Sequence, residues 1–528
     1  MKLRNAVILT TLAMALTSAG ALALPMKAVD PASPATLPGA SATWTKPAAP
    51  RDLARFVDGK TLAVEARLGH GTLAKDGTGE TYLMANITGA DAPTQAAPLN
   101  LALVIDRSGS MKGERIARAL DAAVGIVERL RDGDTVTVVS FDTEAMVVVP
   151  PTQVHASQRS SIESRIRSIH LGGDTCISCG LEAGMTALRT ASVPADHVER
   201  MILLSDGATN HGVTDMPGLR AMAGHMRDRG CSISTIGVDV DFDEKVMAGI
   251  ATESNGRHYF VNDASGLPAV FAQELDSLLA TVAQDSEMAI ELAPGVVVDQ
   301  VFDRTFRREV DANGVRIYVP LGTFAAKQQK TLLLKLRVPV GTEGNRPVAA
   351  MHLAYKDMLN HGAGHANGDL ALAVVGQDAA QKDIDPFVGT RLERSRTAQT
   401  LTEANLLFEE GRVDEARDKL ASQQGALRIA ATRTRSADGF GGDEKAKDDL
   451  EQDFDKQIAA VSRAETNFNL PPSAAATATM GVGHGAGGAG PMGGGVTTAA
   501  APAAKPADVR AGKEQVRENQ QNAFDMAF

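Results

Sequence analysis

Between residues 99 and 283, apolar runs of strand length alternate with runs of helical period, and strand runs break straight into polar loops that carry an aspartate. The first is Leu99-Asn-Leu-Ala-Leu-Val-Ile105, which reads as a strand buried on both faces. Asp106 follows at once, and Ser108 and Ser110 come two and four residues later. A helical pattern then begins, with Ile116, Leu120, Ala123, Val127 and Leu130 spaced alternately by four and three. Thr135–Phe141, Met201–Leu204, Ser232–Val238 and Arg257–Val261 read as further strands. Helical stretches separate them at Ser157–Ile169, Ile177–Arg189, Met216–Arg229 and Phe242–Ile250, and Gly266–Thr281 closes the unit. Such alternation predicts a doubly wound, mostly parallel α/β sheet of Rossmann-like type with helices on both faces. The strand ends of such a sheet are where ligands bind.

On its own, Asp-Arg-Ser-Gly-Ser is equally an ordinary turn capping the next helix. Two more segments decide between the readings. Gly172-Gly173-Asp174-Thr175 is a tight turn with another hydroxyl, and the second run, Met201-Ile-Leu-Leu, leads into Ser205-Asp206-Gly207. In this order Asp106, Ser108, Ser110, Thr175 and Asp206 resemble the metal-ion-dependent adhesion site of von Willebrand factor type A (VWA) domains. The resemblance covers Leu99 to Ala283 and is to exported bacterial members of that superfamily. It implies that these five residues hold a divalent cation, directly or through water. Mg²⁺ suits such oxygen ligands, with Mn²⁺ and Ca²⁺ as alternatives. It also implies a coordination position completed by an Asp or Glu carboxylate of a protein or peptide partner, in a binding site that needs no catalytic base.

Composition narrows the class. The net charge of −11 and the 4% aromatic content leave no basic excess to neutralise phosphates, which excludes nucleic acid as the main partner. A chain of 528 residues holds roughly two to four domains. At the N-terminus, Lys2 and Arg4 precede an apolar stretch that ends in Ala21-Leu22-Ala23, so residues 1–23 read as a cleavable signal peptide rather than a retained anchor. No later segment is long and apolar enough to span a bilayer. A periplasmic or secreted protein is the expectation.

The remaining segments fall into place around the α/β unit. Residues 24–57 are a Pro/Ala-rich linker. Period-two alternation at Leu62–Leu68 and Tyr82–Ile87, within 58–98, matches that in 284–375, as in Met288-Ile290-Leu292 and Leu332-Leu334-Leu336. The two sets predict one antiparallel β-sandwich with the α/β unit inserted in it. Residues 385–465 are helical, with one tetratricopeptide-like pair around Leu401–Leu420, and predict a hairpin or small bundle. Residues 466–508 are Ala/Gly/Pro-rich and expected to be disordered, and 509–528 form a short helix or tail.

Cys176 and Cys179 stand C-x-x-C directly after Thr175, and Cys231 opens a strand. In an exported chain the pair reads as a small structural disulfide or as buried thiols. The alternative is a thiol–disulfide oxidoreductase or redox-regulated binder, since a helix N-terminus lowers a thiol pKa. Zinc lacks further ligands. His361-Gly-Ala-Gly-His365 reads as a surface loop, and neither G-x-S-x-G nor H-E-x-x-H occurs.

Overall fold

Four strands come first: β1 (Arg55–Gly59), β2 (Leu62–Leu68), β3 (Thr72–Ala74) and β4 (Glu80–Gly89). The α/β unit follows as β5 (Leu99–Asp106), α1 (Glu114–Arg129), β6 (Thr135–Phe141), β7 (Ala145–Gln153), α2 (Arg159–Arg167), α3 (Ile177–Thr190), β8 (Val198–Ser205), α4 (Met216–Arg227), β9 (Ser232–Val238), α5 (Glu244–Glu253), β10 (His258–Val261) and α6 (Leu267–Leu279). Strands then resume: β11 (Thr281–Leu292), β12 (Val297–Val301), β13 (Arg307–Asp311), β14 (Gly314–Ala325), β15 (Gln329–Arg337), β16 (Gly344–Asp357) and β17 (Gly362–Val375). Helices α7 (Pro386–Glu409), α8 (Val413–Arg435), α9 (Glu444–Asn467) and α10 (Pro506–Ala527) close the chain. This computed structural model describes residues 53–527 except 92–96, 195, 241, 312–313, 437–443 and 469–505. The expected signal peptide, most of the linker and most of the Ala/Gly/Pro-rich segment lie outside the described residues.

The α/β sheet has the order β10-β9-β8-β5-β6-β7 and is parallel except for β7. Every residue of β5 and β6 is buried, as expected of central strands covered on both faces. Chain order reverses beside β5, which pairs with β6 on one side and β8 on the other. That switch point opens a crevice at the carboxyl ends of β5 and β8.

Two further sheets, β1-β2-β4-β15-β12 and β13-β14-β11-β16-β17-β3, share one core. Val64, Leu83, Ile87 and Leu334 from the first pack with Ile290, Val319, Leu353 and Leu370 from the second. The α/β unit is inserted between β4 and β11, and both crossings meet one turn. The Lys327 amide donates to the Gly89 carbonyl at 3.2 Å, and the Ala326 amide donates to the Ala280 carbonyl at 2.8 Å.

Several elements differ from the sequence reading. The linker expected to reach residue 57 stops earlier, because β1 covers the open edge of β2 through Arg55–Gly59. The α/β unit expected to end at 283 ends at Leu279, since Val282 and Ala283 already pack in the sandwich core. The 361–365 stretch is not a loop. Gly362–Val375 is a strand paired along its length with β16, and its glycines make room for aromatic rings. A Cβ on Gly364 would lie 2.1 Å from the Tyr355 ring, and one on Gly368 would lie 2.3 Å from the Phe56 ring.

The helices α7–α9 and α10 form one core of Leu401, Phe408, Leu420, Phe454, Val461 and Val516. The last carbonyls of α10 are capped by α7: Arg391 donates to Met526 and Ala527, both at 2.7 Å, and Arg394 donates to Asp525 at 2.9 Å. In mid-helix, the Gln521 side-chain amide satisfies the edge of β10, accepting from the Phe260 amide at 3.0 Å and donating to the His258 carbonyl at 3.3 Å.

Candidate metal centre

Parallel pairing of β5 with β8 sets Ile105 opposite Leu204, so Asp106 and Asp206 emerge side by side at the sheet end. Asp106 is wholly buried and held at both oxygens. The Ser108 amide donates to Oδ1 at 2.8 Å, and the Ser205 hydroxyl donates to Oδ2 at 2.6 Å. Ser108 Oγ lies 3.0 Å from Ser110 Oγ, and Ser110 Oγ donates to Asp206 Oδ1 at 2.6 Å. Gly207 locates the fifth group. A Cβ there would stand 3.3 Å from both Ser110 Oγ and Thr175 Oγ1, so the two hydroxyls flank one small cradle.

Three loops build this cluster and hold one another. The Gly109 amide donates to the Gly173 carbonyl at 3.1 Å, and the Gly172 amide donates to the Arg107 carbonyl at 2.8 Å. Asp142, which the sequence did not single out, clasps the turn before Thr175 by accepting from the Gly173 amide at 3.0 Å and pairing with Arg107 at 3.1 Å. A Cβ at Gly172 would fall 1.6 Å from Asp142 Oδ2, so glycine is required there. The Thr175 carbonyl accepts from the Asn210 and His211 amides at 3.0 and 3.2 Å, tying it to the loop after Asp206.

Burial governs the electrostatics. It pushes the Asp106 carboxyl up to about 6 against the Ser108 and Ser205 hydrogen bonds, with the Asp206 charge adding to the rise. Burial likewise raises Asp206, against Ser110 and Arg115. Two carboxylates desolvated together favour a cation as counter-charge. Among the described residues no group of three or more His, Cys, Asp or Glu gathers that could hold a metal ion, so any ion here depends on hydroxyl donors. Two carboxylates and three hydroxyls make an all-oxygen set that fits a hard dication and gives zinc or copper no nitrogen or sulfur. Ser110 is exposed while Asp106, Ser108, Thr175 and Asp206 are buried, so the cluster opens outward at one hydroxyl.

The sequence profile of the von Willebrand factor type A domain matches residues 100–273, the segment holding all five residues. The chain carries a VWA domain. A von Willebrand factor type A protein from Catenulispora acidiphila superposes with a TM-score of 0.63 at 17% identity, covering 78% of this chain and 92% of that one. The ArnB paralog VWA2 from Sulfolobus acidocaldarius gives 0.50 at 16% identity, over 76% and 98%. At these identities the likeness shows the fold. Among curated relatives, the uncharacterized protein sll0103 of Synechocystis is 26% identical over 354 residues, 66% of this chain and 80% of its own length. YfbK of Escherichia coli is 28% identical over 222 residues, and inter-alpha-trypsin inhibitor heavy chain H4 of Sus scrofa 29% over 223 residues. The matches span 38% and 23% of those two proteins.

Around the VWA site, Cys176 and Cys179 form a disulfide with 5.3 Å between Cα atoms, and the Cys176 sulfur caps α3 by accepting from the Cys179 amide. Cys231 is a buried free thiol whose pKa burial drives well above its usual value. Arg115 went unnoticed in the sequence because a basic residue in the first turn of a helix carries no signal. Its guanidinium donates to Asp206 Oδ2 at 2.8 Å.

Proposed function

We propose that this chain binds a protein or peptide partner through a divalent cation held by Asp106, Ser108, Ser110, Thr175 and Asp206, and that it is not an enzyme. The observation that carries the reading is the convergence of these oxygens, from three loops, at the switch point of the VWA sheet. A bound dication supplies an electrophilic centre that a partner's carboxylate completes. Asp106 and Asp206 supply the charge that retains it, while the Ser205 hydroxyl and the Ser108 amide fix how Asp106 points. The exposed Ser110 side of the cluster is the face open to the partner. Mg²⁺ is the first choice and Mn²⁺ or Ca²⁺ the alternatives.

We place the protein in the periplasm or outside the cell, on the strength of Lys2, Arg4 and the Ala21-Leu22-Ala23 site. Among the described residues no helix is long and apolar enough to cross a membrane. Mass spectrometry of the native protein is expected to find a terminus near Leu24, and an intact Met1 terminus refutes export with cleavage. The rival reading, a thiol–disulfide oxidoreductase, needs an attacking thiol within reach of substrate. Cys176 is fully buried, which favours a structural bond.

Calorimetric titration of Mg²⁺ into the wild type and Asp106→Ala tests the metal, with circular dichroism as the fold control. Wild type binds and the variant does not. Equal affinity in both refutes the reading. Pulldown from envelope extract with Mg²⁺, then with EDTA, tests the partner.

A further inference from the structure

A chain of ion pairs leads away from the metal-site carboxylate. Arg115 Nη1 bridges Asp206 Oδ2 at 2.8 Å and the Ser110 carbonyl at 2.9 Å, and its Nη2 pairs with Asp239 Oδ2. The other oxygen of Asp239 pairs at 2.8 Å with Arg510, which belongs to α10. Asp239 sits just past β9 with φ +64°, a left-handed conformation, and its Oδ1 accepts from the Val240 amide at 2.8 Å. Ser110, Arg115, Asp239 and Arg510 line one open cleft of about 540 Å³. Of the five cluster residues Ser110 alone lines it, and α10 contributes Arg510 and Glu514.

We propose that Arg115 sets the charge of the metal site: by neutralising Asp206 it leaves the donor set with one net negative charge, and Asp239 with Arg510 of α10 holds it there. The inference rests on the cation-binding reading. Asp106 and Asp206 alone carry two negative charges, and with Arg115 they carry one. A dication in the neutralised set keeps more of its charge for the partner's carboxylate, at the cost of its own affinity. Arg115 touches a ligand of the ion rather than the ion, so it is a positioning residue. Through Asp239 and Arg510, the docking of α10 bears on the same charge.

The test is calorimetric titration of Mg²⁺ into the full chain at low and high NaCl. Arg115→Met is expected to bind Mg²⁺ at least about tenfold more tightly than wild type, because a positive charge beside the ion is gone. Arg115→Lys, which keeps the charge, stays within about threefold of wild type, and the gain of Arg115→Met shrinks at high salt. Arg510→Met moves the affinity in the same direction by about twofold to threefold, as Asp239 loses the Arg510 charge and competes harder with Asp206 for Arg115. If Arg115→Met melts too low to titrate, Arg115→Gln replaces it with the same expected tightening. Unchanged or weaker binding in the charge-removing variant, with Asp106→Ala still abolishing binding, overturns the proposal alone. A role that merely braces Asp206 gives that weaker binding. Binding that survives Asp106→Ala overturns the metal site and this proposal with it.

Discussion

His258 opens β10 beneath α10, where it is 1% exposed, and it makes the junction between the VWA domain and the C-terminal helix sensitive to acid. Its Nδ1 lies 2.9 Å from Thr235 Oγ1, and because that hydroxyl donates to the Met247 carbonyl at 3.0 Å, the Nδ1–H is the donor of the pair. Nε2 has no hydrogen-bond partner among the described residues. The rings of Phe242 and Phe524 each stand 6.0 Å away. Burial, reinforced by the positive charge of Arg517, pushes the imidazole down to about 3 from an ordinary 6.5. The unfolded chain therefore takes up a proton that the folded one refuses. The cost begins as pH falls through 6.5 and grows until the folded pKa is reached. At pH 5 it amounts to about 2 kcal/mol. Glu244 works in the opposite sense, since burial pushes it up to about 7 against Arg517, so its stabilising contribution rises as pH falls from 7 to 4.5. The wild-type curve alone thus mixes two opposed trends, and the difference from His258→Phe isolates the imidazole. That variant forfeits the Thr235 bond, about 1 kcal/mol at any pH. It is expected to be less stable than wild type at pH 7.5, equal near about pH 6, and about 1 kcal/mol more stable at pH 5. Amide exchange of β10 and α10, corrected for the intrinsic pH dependence of exchange, reads the local opening energy. A difference between the two proteins that stays constant from pH 7.5 to 5 refutes the account.

Gly207→Ala places a methyl 3.3 Å from Ser110 Oγ and Thr175 Oγ1, and is expected to lower Mg²⁺ affinity about tenfold in calorimetry while circular dichroism stays unchanged. Replacing both Cys176 and Cys179 by Ser removes a very short loop closure, so chemical denaturation should show a loss of about 2 kcal/mol. Mg²⁺ affinity is expected to hold within about threefold; complete loss of function would favour the redox reading. A chain starting at Leu99 lacks β4, which pairs with β15 from Glu80 to Thr88, and is expected to aggregate in size-exclusion chromatography. A soluble monomer with native-like unfolding counts against the shared sandwich.

What could be read in advance follows from how each element is buried. β5 and β6 are apolar throughout and β2 alternates strictly, so covered and half-covered strands announced themselves. β13 is exposed at every residue and β7 carries Pro150-Pro151 on a sheet edge, and neither leaves a periodic trace. In β17, Gly364, one of the two glycines that suggested a loop, has the Tyr355 ring across it. The meeting of the five oxygen side chains at the sheet end was legible because each sits at a fixed offset from the end of a buried strand or the start of a helix. Asp142 and Arg115 were not, since each acts on a residue brought to it from a different loop.

The C-terminal helix marks the limit of such reading most clearly. α10 is polar or charged over much of its length, and its composition gave only a short helix or tail. What docks it is a series of polar contacts with groups hundreds of residues away: Arg510 to Asp239, Arg517 to Glu244, and Gln521 to the backbone of β10. Arg391 and Arg394 hold its last carbonyls. None has a sequence period, because each partner is set by where the VWA sheet and α7 happen to present a charge or an unpaired backbone group. Each such contact contributes about 1–3 kcal/mol at most, so no one of them decides whether α10 docks. Breaking the Arg510–Asp239 pair should therefore leave the helix in place while Asp239 competes harder with Asp206 for Arg115, and any change in metal affinity that follows is an effect of charge rather than of undocking.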